Sequence, residues 1–258
     1  EIGVRLVGSE MCIRDRPLGY AYNGMNTDDG HYLRQTLDTI IDNNKILHPK
    51  RSLKDHILEG YKLLRKLLAE QEDHSVVFIA LGPETNLARL LISEADEYSE
   101  LDGKALVAQK VKLLSVMGGL YGNEFDFPEW NIVNDLNAAQ ITFKEWPTPI
   151  IASGWELGNK IRYPHQSILN DFAGSYKHPL CVSYKIYQEM PYDRETWDLT
   201  SVLQAIEPGN NYFNLSEKGT ITIDSIGQSI FSPSESGKHQ YLTIPVSYTH
   251  LRAHETDS

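Results

Sequence analysis

Asn123, Glu129 and Asn131 place one carboxylate and two carboxamides in a short stretch of chain. Together such groups accept from and donate to several hydroxyls of one sugar, so their chemistry suits a polyol. They follow Met117-Gly118-Gly119-Leu120-Tyr121-Gly122, a loop that leaves the apolar run Val111-Lys112-Leu113-Leu114-Ser115-Val116. That run reads as a buried strand, and in open α/β sheets ligands sit in the crevice beyond the carboxyl ends of strands. Met117, at the end of the run, is read either as core or as pocket wall.

The elements needed to hold such a loop are legible on both sides of it. Apolar residues recur at helical spacing in 31–43 (Leu33, Leu37, Ile40, Ile41) and in 52–70 (Leu53, Ile57, Leu58, Tyr61, Leu64, Leu67, Leu68), and Val76-Val77-Phe78-Ile79-Ala80 reads as a strand. Helical patterns return at 84–98 and 136–145, and a strand at 148–152. Further helices are expected at 179–189 and 198–205, with short strands at 220–224 and 241–244. This alternation predicts an α/β domain with a mainly parallel central sheet and helices on both faces. Lys50–Arg65 and Glu94–Asp102 read as solvated charged faces, and His165, His178 and His239 as surface or helix-end histidines.

The formal net charge of -11 argues against binding a nucleic acid backbone, which calls for basic patches. No apolar run approaches the roughly 20 residues of a membrane span. The two ends carry an unusual relationship. Back-translated with suitable codons and reverse-complemented, Leu6-Val7-Gly8-Ser9-Glu10-Met11-Cys12-Ile13-Arg14-Asp15-Arg16 gives the residues from Val246 to Glu255, and Gly3-Val4 gives Asp257-Ser258. The ends therefore resemble one transposase sequencing adapter translated in opposite directions. Residues 1–16 and 246–258 are expected to be non-native, and 17–245 to be the natural domain, truncated at its N-terminus with the first strand missing. Discounting Cys12 leaves Cys181, expected to be a small buried hydrophobe, and removes any internal disulfide or cysteine metal site.

Taken singly, the polar residues have ordinary readings. Asp198 opens a helical pattern and could cap it. Thr85 could be a plain turn residue, Asn123 a left-handed turn residue after Gly122, Asn131 a loop amide bonding its own backbone, and Glu129 a solvated charge. Order changes the weighing. Three strands end in glycine-bearing polar turns: Gly82-Pro83-Glu84-Thr85-Asn86-Leu87-Ala88, Met117-Gly118-Gly119, and Ser153-Gly154-Trp155-Glu156. The first resembles the Gly-Pro-x-Thr-Asn-Leu-Ala turn of the inosine-uridine-preferring nucleoside hydrolase family. Met117-Gly118-Gly119 resembles its Met-Gly-Gly, and Gly122-Asn123 with Glu129-Trp130-Asn131 its Gly-Asn followed by Glu-Phe-Asn. The set is in order and spans nearly all of 17–245.

The resemblance implies a single Rossmann-like α/β domain and a calcium-dependent N-ribosyl hydrolase that cleaves nucleosides to ribose and free base. It implies that Asn123 and Glu129 hold the ribose 5′-hydroxyl and Asn131 the lower ribose hydroxyls. It implies that the Thr85 backbone carbonyl and the Asp198 carboxylate coordinate calcium, Asp198 also touching the ribose. Met117 and Trp197 are expected to contact substrate. The partner is then a small nucleoside, with neither nucleic acid nor membrane, and family members are often homo-oligomers. Cytoplasmic localisation is the default expectation, with a secreted or periplasmic protein left open.

Two departures qualify this. The family's Asp-x-Asp-x-x-x-Asp-Asp motif, source of calcium ligands and of the general base, has no counterpart; Asn26-Thr27-Asp28-Asp29 precedes a helical pattern and reads as a capping segment. No catalytic base is therefore expected within the chain, and the fragment is expected to be inactive. Trp197 stands where many members place a histidine that protonates the leaving base. An indole N–H cannot supply that proton, although the ring can stack on a base. A non-catalytic ribose or nucleoside binder of the same fold is the alternative; a dinucleotide-dependent enzyme is disfavoured because no Gly-x-Gly-x-x-Gly turn follows a strand.

Overall fold

The computed structural model describes residues 35, 36, 39–41, 45, 46, 59–122, 124–171 and 178–245. They divide between two compact units. The larger holds residues 59–160 and 197–245, and with them the whole seven-stranded sheet.

Its strands are β1 (Val76–Ala80), β2 (Val111–Met117), β3 (Ile150–Ser153), β4 (Asn214–Leu215), β5 (Gly219–Ile223), β6 (Ser229–Pro233) and β7 (His239–Thr243). The order across the sheet is β6-β5-β7-β3-β2-β1, with β4 pairing β7. β1, β2, β3 and β7 run parallel, while β4, β5 and β6 add an antiparallel margin. Register is set by which side chains each face can bury. Leu114, Val116, Ile150 and Ala152 are fully buried in one core with Leu90, Leu106 and Phe143. The alternate residues Ser115 and Ser153 face the helix of residues 197–206. Helices thus cover both faces, as the alternating pattern predicts.

The helices of this unit are α1 (Gly60–Ala69), α2 (Thr85–Leu91), α3 (Gly103–Lys110), α4 (Trp130–Asn134), α5 (Leu136–Glu145), α6 (Trp155–Lys160) and α7 (Trp197–Ile206). The helix expected over 84–98 stops at Leu91. Beyond it the chain is held by Arg65, whose fully buried guanidinium donates to Asp96 at 2.6 and 3.0 Å, to the Ser93 hydroxyl at 3.0 Å, and to the carbonyls of Ser99 and Leu101. Arg65 and Asp96 are therefore an internal ion pair, not parts of solvated faces. α3 lacks an apolar stripe, burying only Gly103, Leu106 and Val107, and was not expected; Asp102 caps it by accepting from Ala105 N at 2.8 Å. β6 was also unexpected, since it buries none of its residues fully. His239, read as a surface or helix-end residue, instead lies buried in β7, where Nδ1 accepts from Ile221 N at 2.9 Å and burial lowers the imidazole pKa.

The smaller unit includes helices His165–Asn170 and Pro179–Tyr187 and the paired strands Arg162–Tyr163 and Arg194–Glu195. Cys181 is buried there, as expected, with its thiol against the Ile168 carbonyl. The helix expected over 31–43 is not continuous: Ile40–Ile41 pairs antiparallel with Lys45–Ile46. Two β-branched residues before Asp42-Asn43-Asn44, a run of turn formers, favour a hairpin over a helix. Other parts of that prediction, the 52–58 portion of the next helix, Asn26–Asp29 and both terminal segments lie outside the described residues. No helix among the described residues is long and apolar enough to cross a membrane.

Candidate functional site

Because β1, β2 and β3 are parallel, their glycine-bearing turns share one sheet edge, and the structure ties the second and third together. Gly118 N donates to Ser153 O at 3.2 Å, and Trp155 N donates to Gly119 O at 2.9 Å. Gly119 adopts φ +85°, and a Cβ there would meet the Tyr121 hydroxyl at 2.5 Å and Ser229 Oγ at 2.9 Å. A side chain is excluded on both counts.

Glu129 sits where this turn closes. It is the N-cap of α4, and its Oε2 accepts from Gly119 N (3.2 Å), Asn131 N (3.0 Å) and Ile132 N (3.3 Å). Only 3% exposed, it is no solvated charge. Burial raises its pKa; the three amides oppose that rise, and the nearby charge of Asp198 adds to it. Asn131 follows in α4, buried, with Nδ2 donating to both the carbonyl and the sulfur of Met117 at 3.1 Å. That commits the amide nitrogen and leaves the side-chain carbonyl to accept from a hydroxyl. Met117 itself is buried and meets the site through these two acceptor atoms. Asn123 lies outside the described residues.

α7 delivers Asp198 and Trp197 to the same electrostatic neighbourhood. Small polar residues let it lie close on the sheet: Ser115 Oγ donates to Ser201 O at 2.9 Å, the hydroxyls of Ser153 and Thr200 bond to one another, and Thr200 Oγ1 donates to Trp197 O at 2.7 Å. Asp198 is in the first turn of α7 and not at its cap. As a residue it is open to solvent, yet partial desolvation pushes its carboxyl up to about 6. Trp197 is half-buried, its ring centroid 6.4 Å from that of Trp155. Gly158 in α6 makes this approach possible, since a Cβ there would fall 2.3 Å from Trp197 Cα.

Thr85 begins α2, and its hydroxyl donates to Asp135 Oδ2 at 2.5 Å. Two acidic residues in the turns were not singled out from sequence. Glu84 is 1% exposed with no side-chain partner for its carboxyl among the described residues, and burial drives its pKa well up. Glu156 is likewise raised by burial while its Oε1 accepts from Tyr121 N at 3.2 Å. Their position immediately after apolar strands was the available signal. Trp130, half exposed between two buried polar residues, also went unremarked.

The edge is thus rich in carboxyls lifted by desolvation. Asp198, an oxygen donor whose carboxyl is raised by desolvation, fits a hard divalent cation by chemistry. Among the described residues, however, no three acidic, histidine or cysteine side chains converge as a complete metal site.

Comparison with known proteins gives the family. Residues 21–246 match the family described as inosine-uridine preferring nucleoside hydrolase. The chain belongs to that family. Pyrimidine-specific ribonucleoside hydrolase RihA of Enterobacter sp. (strain 638) is 30% identical over 114 residues, covering 43% of this chain and 33% of that protein. RihA of Escherichia coli (strain SMS-3-5 / SECEC) is 32% identical over 101 residues, 38% and 29% of the two chains. The chain therefore matches about a third of the length of these curated relatives. Among solved structures, a purine-preferring ribonucleoside hydrolase from Gardnerella vaginalis superposes with TM-score 0.60 at 15% identity, covering 81% of this chain and 67% of that one. An inosine-guanosine nucleoside hydrolase gives TM-score 0.58 at 19% identity, covering 80% and 67%. The fold of this nucleoside hydrolase family member is accordingly the α/β fold of those enzymes.

Proposed function

We propose that the full-length protein is a calcium-dependent N-ribosyl hydrolase, releasing ribose and free base from nucleosides. The observation that supports this most is the joining of Glu129 and Asn131 to the end of β2, with the Asp198 carboxyl close enough to raise Glu129's pKa. Asn131 accepts a lower ribose hydroxyl through its carbonyl, and Glu129, with Asn123, holds the 5′-hydroxyl. Fixing the sugar spends its binding energy on orienting the anomeric carbon. Positive charge developing there in an oxocarbenium-like state is favoured by the carboxylates of Asp198 and Glu129 in a partly desolvated site.

Asp198 would help hold calcium, which when bound lowers the pKa of a water ligand. The Thr85 backbone carbonyl, at the first position of α2, would be a second oxygen ligand on this reading, and its hydroxyl steadies Asp135. The general base is assigned to the family's Asp-rich motif, so the chain as given is expected to bind calcium weakly and to release no ribose. Trp197 offers the leaving base a stacking surface and no proton.

The test is ribose release from common nucleosides by the full-length gene product. Activity that disappears on chelation and returns with calcium supports the hydrolase. Ribose or nucleoside binding without release would favour the second reading, a binding protein of the same fold, which Trp197 in place of an acid keeps open.

A further inference from the structure

Asp135 is the single residue between α4 and α5, and both of its carboxyl oxygens are in use. Oδ1 accepts from Ala138 N at 3.2 Å and caps α5, while Oδ2 accepts from the Thr85 hydroxyl at 2.5 Å. Asp135 and Thr85 are 5% and 6% exposed, so water does not compete for that bond. Capping alone would be served as well by Ser, Thr or Asn, whose side chains each offer one acceptor oxygen. The second oxygen of Asp135 goes instead to the turn after β1. It holds that turn to a stiff anchor, because α4 has five residues, about 7.5 Å of helix, with Glu129 at its cap and Asn131 in its first turn.

We propose that Asp135 is a positioning residue for calcium: by holding the Thr85 hydroxyl, it fixes the Thr85 backbone carbonyl as a metal ligand against the helix that carries the sugar residues. The inference rests on the calcium-site reading above and deepens it. A carbonyl has two lone pairs, so one bond within α2 still leaves the Thr85 oxygen able to meet a cation. Its aim is the weak point, because the first N–H groups of a helix have no partner within it and leave the first turn loosely held. The Thr85–Asp135 bond supplies the missing tether. Hydrogen bonds behind a metal ligand set the direction of its lone pair, and their loss typically lowers metal affinity by about 10–100-fold.

The experiment is calorimetric titration of the full-length protein with calcium, for the wild type, Thr85→Val, Thr85→Ser, Asp135→Ser and the double variant Thr85→Val/Asp135→Ser, with melting in chelator recorded alongside. Thr85→Val keeps the backbone carbonyl, leaves every carboxyl in place and removes only the tether, so calcium affinity should fall about tenfold or more. Thr85→Ser keeps the hydroxyl and should bind calcium as the wild type does. Asp135→Ser leaves an oxygen to cap α5 and none for Thr85, and should weaken calcium binding as Thr85→Val does. The double variant should be no weaker than the weaker single one, since both changes break the same bond. If Asp135→Ser does not fold, Thr85→Val against Thr85→Ser carries the comparison. Calcium affinity unchanged in Thr85→Val, with only a lower melting temperature in chelator, overturns the proposal and leaves the calcium site standing. An equal loss in Thr85→Ser, or losses that add in the double variant, also overturns it. A wild type that binds no calcium overturns both the proposal and the reading it rests on.

Discussion

Ser153 at the end of β3 and Thr200 in α7 bond hydroxyl to hydroxyl in the buried interface between sheet and helix. This pair, with Ser115 on Ser201, fixes the register of α7 and so the point at which Asp198 emerges.

Thr200→Val keeps the shape of that side chain and removes its bonds to Ser153 and to Trp197 O. Leaving the Ser153 hydroxyl buried without its partner should cost about 1–3 kcal/mol. Chemical denaturation should show that loss, and the calcium response of the full-length protein should weaken with it.

Glu129→Ala removes the cap of α4 and, on the proposed reading, a sugar ligand. Loss of the cap alone should destabilise by roughly 0.5–2 kcal/mol. In the full-length protein kcat/KM for nucleosides should fall about tenfold or more, the scale of one lost hydrogen bond to a charged group. Glu129→Gln, which preserves an acceptor for the amides of Gly119, Asn131 and Ile132, should recover most of the stability and less of the activity. Equal recovery of both would place Glu129 in a structural role only.

Arg65→Leu should destabilise by about 3–5 kcal/mol, because Asp96 and the carbonyls of Ser99 and Leu101 would lose their buried donor. The pair also fixes a pH dependence. The Arg65 guanidinium holds the Asp96 pKa below its ordinary 3.8. This stability is therefore fully present above about pH 4 and lost as pH falls through the lower folded value. Acid unfolding of Asp96→Asn, compared with wild type, should lack that part of the slope.

Asp198 titrates with the opposite sign. Its folded pKa of about 6 lies above 3.8, so the folded state holds the proton more tightly. Its contribution to stability is greatest at or below about pH 4 and declines as pH rises to about 6. Without calcium, Asp198→Asn should melt higher than wild type at pH 7 and no higher at pH 4. Equal melting temperatures at both would show that the carboxyl is not desolvated in solution.

Gly158→Ala tests the α6–α7 approach. With the new Cβ 2.3 Å from Trp197 Cα, the helices must separate, at a cost of about 1–3 kcal/mol. Nucleoside affinity should fall with it; unchanged stability would mean α6 yields without moving Trp197.

Much of this protein could be read from the order of its residues. Apolar runs at 76–80 and 111–116 declared buried strands, and the glycine-bearing turns after them declared where polar side chains gather, because strand burial and turn chemistry are local properties of the chain. Glu129 and Asn131 were legible as a pair for the same reason. What only the tertiary structure decided depends on residues distant in sequence. The burial of Arg65 requires Asp96 to fold back on it, and no periodicity of α1 encodes that partner. Glu84 became a buried carboxyl because Gly118 and Ile132 close around it. α3 had too little amphipathic pattern to announce itself, and β6 too little burial. The closeness of Asp198 to Glu129, and of Trp155 to Trp197, follows from parallel strands ending at one edge and from small residues that let α7 lie on the sheet; those distances are fixed by packing, to which local sequence contributes only the permission of a serine or a glycine.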